Sequence, residues 1–202
     1  MKIVIYLLML LIWNALNTEA KENFYTPNDV KCVSDDECYI KATDKLLSGE
    51  LRVMDKKGKL YKLVYYKKGK RNGKNIEYYG DGKIRFIEMY SDGVLHGVSR
   101  EFYENGRYKT ELYFKNGKRN GRYREYYENG KLKEDKIYVD GVLDGRARMF
   151  YENGKMAIDI EYDNDELVNL YCLSKRGRRY NMRAQIKDFK EQGRAVCEKI
   201  AN

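Results

Sequence analysis

Apolar and polar positions follow a cycle of 24 residues that begins at Gly49 and runs five times without a gap, through 49–72, 73–96, 97–120, 121–144 and 145–168. Each cycle reads as two strands and two turns. An aromatic pair closes the first strand in four of the cycles, as Tyr78-Tyr79, Phe102-Tyr103, Tyr126-Tyr127 and Phe150-Tyr151. A turn follows, written Glu104-Asn105-Gly106, Glu128-Asn129-Gly130 and Glu152-Asn153-Gly154. Asn-Gly between apolar-rich runs is a strong hairpin signal, because both residues tolerate positive φ. The second strand then alternates with period two. Leu60, Lys62, Val64 and Tyr66 are expected on one face, as are Met156, Ile158, Ile160 and Tyr162. It ends on an aromatic in every cycle: Tyr66, Tyr90, Phe114, Tyr138, Tyr162. A second glycine turn, such as Asp92-Gly93 or Asn116-Gly117, leads to the next opening glycine. Asp165 replaces that turn glycine in the last cycle, which reads as a fading terminal repeat.

Strand–turn–strand–turn with short connections predicts a mainly β fold, an elongated single-layer antiparallel meander of tandem hairpins. Ten strands at about 4.8 Å spacing make a ribbon roughly 45 Å long. Repeats of this kind support only their neighbours, so the ends need caps. Residues 21–48 are expected to form the N-terminal cap. Residues 169–180 read as a last strand and turn. From Asn181, a plausible N-cap, the period becomes helical through Met182, Ile186, Phe189, Val196 and Ile200, which predicts a short C-terminal capping helix.

Segments such as Glu125-Tyr126-Tyr127-Glu128-Asn129-Gly130-Lys131, followed by Tyr138-Val139-Asp140-Gly141, resemble the bacterial variant of the MORN repeat. The resemblance covers five in-phase copies and is shared with a YwqK-like family assigned as antitoxins of toxin–antitoxin pairs. It implies single-layer hairpin architecture and a role in protein or membrane association. It brings no catalytic residues with it.

Met1-Lys2, then the apolar run Ile3 to Trp13, then Thr18-Glu19-Ala20 have the form of a secretory signal with cleavage after Ala20. Eleven apolar residues fall short of the ~20 that span a bilayer as a helix. A periplasmic or secreted location is therefore expected. In an oxidising compartment the four cysteines, Cys32, Cys38, Cys172 and Cys197, read as two disulfides. Three pairings are open; proximity favours Cys32 with Cys38 and Cys172 with Cys197.

The net charge of +9 favours acidic partners without naming one. Its placement is more informative. Two of the second turns are basic, carrying Lys67, Lys68, Lys70 and Arg71, and Lys115, Lys118 and Arg119. Val94-Leu95 and Val142-Leu143 fill the equivalent places in alternate repeats. One ribbon margin is thus expected to alternate cationic and apolar patches. No catalytic, cofactor-binding or metal site is read. His96 is the one histidine and occupies a place held elsewhere by Asn72, Asn120 and Asp144, which makes it a turn residue. No Cys-x-x-Cys occurs, and the Asp/Asn-Gly turns offer calcium few carboxylates. The expected function is a non-enzymatic protein-binding scaffold that takes a protein partner through Tyr79, Tyr103, Tyr127 and Tyr151. The alternative is peripheral binding of anionic membrane or envelope polymer at the basic margin. Nucleic acid is the least favoured partner.

Overall fold

The structure, a computed structural model, describes residues 24–34, 37–174, 176–187, 189 and 197. The expected signal segment, residues 1–20, lies outside the described residues, as does Lys175. The chain forms an open, mainly β array in which sixteen strands share one sheet. Five hairpins follow one another in chain order: Gly49–Met54 with Leu60–Lys67, Lys70–Tyr78 with Ile84–Ser91, Gly97–Phe102 with Tyr108–Lys115, Gly121–Tyr126 with Leu132–Val139, and Gly145–Phe150 with Met156–Asp163. Glu166–Leu173 and Arg179–Asn181 extend the sheet at one end. At the other end Phe24–Tyr25 adds a short parallel strand beside Glu50 and Leu51.

The two turns of each repeat differ in kind. The second turns are two-residue reversals in which both residues take positive φ, as at Asp92 (49°) with Gly93 (88°) and Asn116 (50°) with Gly117 (80°). That conformation matches the twist of the strands it joins. Asp165 holds a φ of 65° where the other repeats have glycine, so the terminal repeat turns in the same way at a steric cost. The Asn-Gly turns are different, which corrects the reason expected for them. Only the glycine goes left-handed there, as at Gly106 (83°). Asn105 contributes its side chain instead, Oδ1 accepting from the Arg107 N–H at 2.9 Å, while the Gly106 N–H donates to the Tyr103 carbonyl at 2.8 Å. This is a longer turn with a glycine bulge.

A bulge beside each first turn decides the faces. Residues paired across a ladder share a face, and the register slips between Val53 and Met54, so that Val53 pairs with Lys62 and Met54 with Leu60. The same slip occurs at Met149/Phe150, pairing Phe150 with Met156. Leu60 and Met156 therefore lie opposite Lys62 and Ile158, a correction to the simple alternation expected from sequence. Between the second and later repeats the ladder is thin. Ile84–Ser91 pairs with Gly97–Phe102 only at Phe86–Glu101 and Ile87–Arg100. Past this ladder Gly97 (φ 111°) is crowded as well as left-handed: a Cβ there would lie 3.0 Å from Met89 Cβ.

The two clusters of buried apolar residues lie at the two ends and on the same face. At the N-terminal end a three-stranded sheet, Val30–Ser34, Glu37–Ile40 and Lys45–Leu46, packs Val30, Cys38 and Leu47 onto Leu51 and Val64. At the C-terminal end Met182, Phe189 and Cys197 pack onto Ala147, Ile158, Ile160, Leu170 and Cys172. Each large side chain buried there contributes roughly 1.5–3 kcal/mol. Disulfides Cys32–Cys38 and Cys172–Cys197 fasten the two caps. The C-terminal cap differs from its expected form. A 3-10 turn, Arg183–Gln185, occupies the start of the predicted helix. Asn181 ends a strand, its Oδ1 accepting from the Arg183 N–H at 2.9 Å. Ile186, Lys187, Phe189 and Cys197 are helical; Gly193, Val196 and Ile200 of the expected stripe lie outside the described residues.

The sequence follows this division. Where a cap covers the sheet, the residue before the slip and the bulged residue are apolar, Val53 with Tyr61 and Met149 with Ala157. In the three central repeats the same positions hold ion pairs: Glu77 with Arg85, Glu101 with Lys109 (2.9 Å) and Glu125 with Lys133 (2.5 Å). The centre of the capped face is thus built for water, and among the described residues none caps the opposite, open face.

Candidate binding faces

The four tyrosines singled out in the sequence lie on the capped face and act within the fold. Tyr79 donates its hydroxyl to the Phe102 carbonyl (2.5 Å), Tyr103 to Tyr126 (2.8 Å), Tyr127 to Phe150 (2.7 Å) and Tyr151 to Leu173 (3.3 Å). The first three bonds cross from one hairpin to the next, beyond the point where the thin ladder between them has ended, and the fourth reaches the end strand Glu166–Leu173. The rings are half-buried. Side chains of the first turns add parallel ties: Asn105 Nδ2 reaches the Glu128 carbonyl and Asn129 Nδ2 that of Glu152, both at 3.2 Å. The row of tyrosines expected to meet a partner is also a row of joints within the fold.

The seven basic candidates divide between the faces. Lys67 pairs with Lys70 and Lys115 with Lys118 on the open side, and all four are exposed, as is Lys68 at its turn. Arg71 and Arg119 go to the capped side. The Arg71 guanidinium lies 4.2 Å from the Tyr90 ring centre and donates to its hydroxyl at 3.0 Å. Arg119 repeats this more loosely with Tyr138, at 5.4 and 3.4 Å. The two basic turns are also unequal. The N-terminal cap grips the first, with Gly69 N–H donating to Leu47 (2.7 Å) and Cys38 N–H to Gly69 (3.0 Å). The second lies between two neighbouring turns, with the Gly117 N–H donating to the Leu95 carbonyl and the Gly141 N–H to that of Arg119, both at 2.8 Å. His96 Nδ1 lies 3.3 Å from Asn116 Oδ1, the link that Asn72 makes to Asp92 and Asn120 to Asp140.

The open face has a composition that the sequence reading passed over. Three acids sit in a line, one per repeat, and each is held by arginines from two repeats or from the adjoining end strand. Glu111 Oε1 accepts from Arg100 Nε (3.0 Å) and Nη2 (2.8 Å), with Arg124 3.8 Å from the other oxygen. Asp135 lies between Arg122 (2.8 Å) and Arg148 (2.5 Å). Asp159 takes both forks of Arg146 at 2.7 Å and Arg179 at 3.3 Å. The Arg146 hydrogen bonds, reinforced by the charges of Arg146, Arg179 and Arg148, hold its carboxyl below the usual range despite burial. Planar guanidinium forks suit such shared carboxylates. Alongside this line Tyr108, Tyr113, Ile137 and Met54 are exposed on the same face, by 44%, 39%, 36% and 47%. Strict alternation through Arg122-Tyr123-Arg124 and Glu111-Leu112-Tyr113 was the available signal. It was obscured because the bulges move each face by one residue per hairpin.

Among the described residues, no group of three or more His, Cys, Asp or Glu side chains is placed to hold a metal ion. No curated protein matches the chain. The family pattern described as MORN repeat variant matches four tandem segments, 71–92, 95–116, 119–140 and 143–164, each spanning one second turn to the next.

Proposed function

We propose that the chain is an exported, non-catalytic scaffold that binds a protein partner through the open face of its central repeats. The observation that carries this reading is the concentration of exposed Tyr108, Tyr113 and Ile137 among Arg100, Arg122 and Arg124 on a face that no described residue of either cap covers. Tyrosine and arginine are the usual anchors of protein interfaces, and clustered anchors carry most of the binding energy. The disulfides and the N-terminal apolar run support an oxidising location. An antitoxin-like role, implied by the YwqK-like resemblance, would be the same activity directed at a toxin. Capture of a partner from envelope extract tests the reading. Tyr113→Ser with Arg124→Ser should abolish capture, while Tyr103→Phe on the other face should leave it intact; the opposite pattern removes the proposal.

A second reading has its own support. Lys115 and Lys118 flank Val139 (43% exposed) and Val94 (45%) along the second-turn margin, a mixture suited to an anionic membrane or envelope polymer. Sedimentation with anionic vesicles at rising salt tests it, and binding indifferent to salt counts against it.

A further inference from the structure

The middle of the open face holds more guanidinium than carboxylate. Arg100, Glu111, Arg124, Asp135 and Arg148 stand opposite one another along successive ladders, so they form one row across the sheet. Arg122 lies beside the row, on the strand and face of Arg124. The two acids of this group are already engaged. Asp135 is shared by Arg122 (2.8 Å) and Arg148, and its side chain is 5% exposed. Glu111 Oε1 accepts both bonds from Arg100. Arg124 is left over. Among the described residues its guanidinium makes no hydrogen bond, and the carboxylate oxygen it approaches, Glu111 Oε2, is 3.8 Å away. The side chains of Arg124 and Arg122 are 37% and 48% exposed, and every arginine of the group is more exposed than either acid. The surface that a partner meets here is therefore cationic. Exposed apolar groups adjoin it: Tyr113 follows Glu111 on the same face of its strand, and Ile137 pairs with Arg122.

We infer that Arg124, with Arg122 beside it, receives an acidic side chain of the partner, so that the docked segment carries aspartate or glutamate among apolar residues. The inference rests on the reading of the open face as a protein-binding surface, and it names the partner's chemistry. The planar fork of a guanidinium matches a carboxylate, which accepts two parallel N–H bonds from it. A neutral segment pressed onto this face would strip water from Arg124 and return no acceptor, which is costly for a charged group. A basic segment would meet like charge. An inorganic polyanion would satisfy the guanidiniums but leave Tyr113 and Ile137 without apolar contact. A peptide with acidic and apolar side chains serves both, as the centres of protein interfaces do.

Two fluorescein-labelled decapeptides, titrated into the oxidised full chain and followed by anisotropy, test the inference. One alternates glutamate with tyrosine, the other glutamine with tyrosine. Saturable binding of the glutamate peptide is expected, about tenfold tighter than that of the glutamine peptide and weaker as salt rises. Arg124→Gln removes the charge without breaking a hydrogen bond within the described chain, so the urea midpoint should barely move. It should weaken the glutamate peptide about tenfold, leave the glutamine peptide unchanged and flatten the salt dependence. Lys115→Gln with Lys118→Gln, on the second-turn margin, should change binding by less than about twofold, since exposed charges away from the contact act weakly. A larger loss there than at Arg124 assigns the peptide to that margin and overturns the inference. Equal affinity for the two peptides, or indifference to Arg124→Gln, overturns it as well. Inorganic polyphosphate that binds through Arg124 while the glutamate peptide does not gives the face to an anionic polymer, with the same consequence. If a partner is captured through Tyr113 and Arg124 while the glutamate peptide fails to bind, this inference alone falls. If neither binds, the open-face reading falls with it.

Discussion

The hydroxyl of Tyr103 donates to the carbonyl of Tyr126 at 2.8 Å, joining two hairpins where their backbones no longer pair. Tyr103→Phe keeps the ring and removes only that bond. A loss of about 0.5–1.5 kcal/mol is expected, read as a lower midpoint in urea. Tyr127→Phe should behave alike, and because the two joints are adjacent the double variant should depart from simple addition. An unchanged midpoint in both would mean that water serves these carbonyls equally well.

The opening glycine of each repeat, at positive φ, is the second place where the array depends on a single residue. Gly97→Ala places a methyl 3.0 Å from Met89 Cβ and forces alanine to a φ of 111°. Gly121→Ala suffers a similar φ, 100°, but its methyl lies 3.9 Å from the nearest atom, Tyr113 Cβ. Both variants should lose on the order of 1–3 kcal/mol from backbone strain, with Gly97→Ala the more damaging. The reverse order in thermal unfolding would show that contact with Met89 is unimportant.

These relationships bear on what the sequence made visible. The period was legible because glycines mark every reversal: Gly93 and Gly117 sit in two-residue turns that little else can occupy. The mainly β class followed from that, and four of the segments match a known repeat variant. The faces were less legible. A bulge at Lys109 or Lys133 is invisible in an alternation count, yet it moves every residue beyond it to the other side. The bonds of Tyr79, Tyr103 and Tyr127 were not legible, since a hydroxyl's acceptor 23 residues away belongs to the next repeat and has no local signature. One clue was available. The exchange of Val53 and Met149 for Glu77, Glu101 and Glu125 at the same place in the cycle marks which repeats lie under a cap. The C-terminal cap was read as helix from apolar spacing alone, and its first turn takes the tighter 3-10 form.

Charge on the open face makes its stability depend on acid. Asp159 has a folded-state pKa below its unfolded value, through the Arg146 hydrogen bonds first and then the neighbouring guanidiniums. A depressed carboxylate stabilises the fold above the unfolded pKa, near 3.9, and that contribution disappears as pH falls through the folded value. Asp159→Asn should therefore be less stable than the wild type at pH 7. The gap between the two should close as pH is lowered below about 4. Parallel pH curves for the two proteins would show that the pair contributes nothing to folding.

Tyr113 and Phe114 are neighbours on one strand and face opposite sides of the sheet, paired with Val98 and Gly97 respectively. A photo-reactive benzoylphenylalanine at each position, irradiated with the captured partner present, reports which side is occupied. Cross-linking from position 113 and none from position 114 is expected. Cross-linking from position 114 alone would place the partner between the caps and contradict the assignment of the open face.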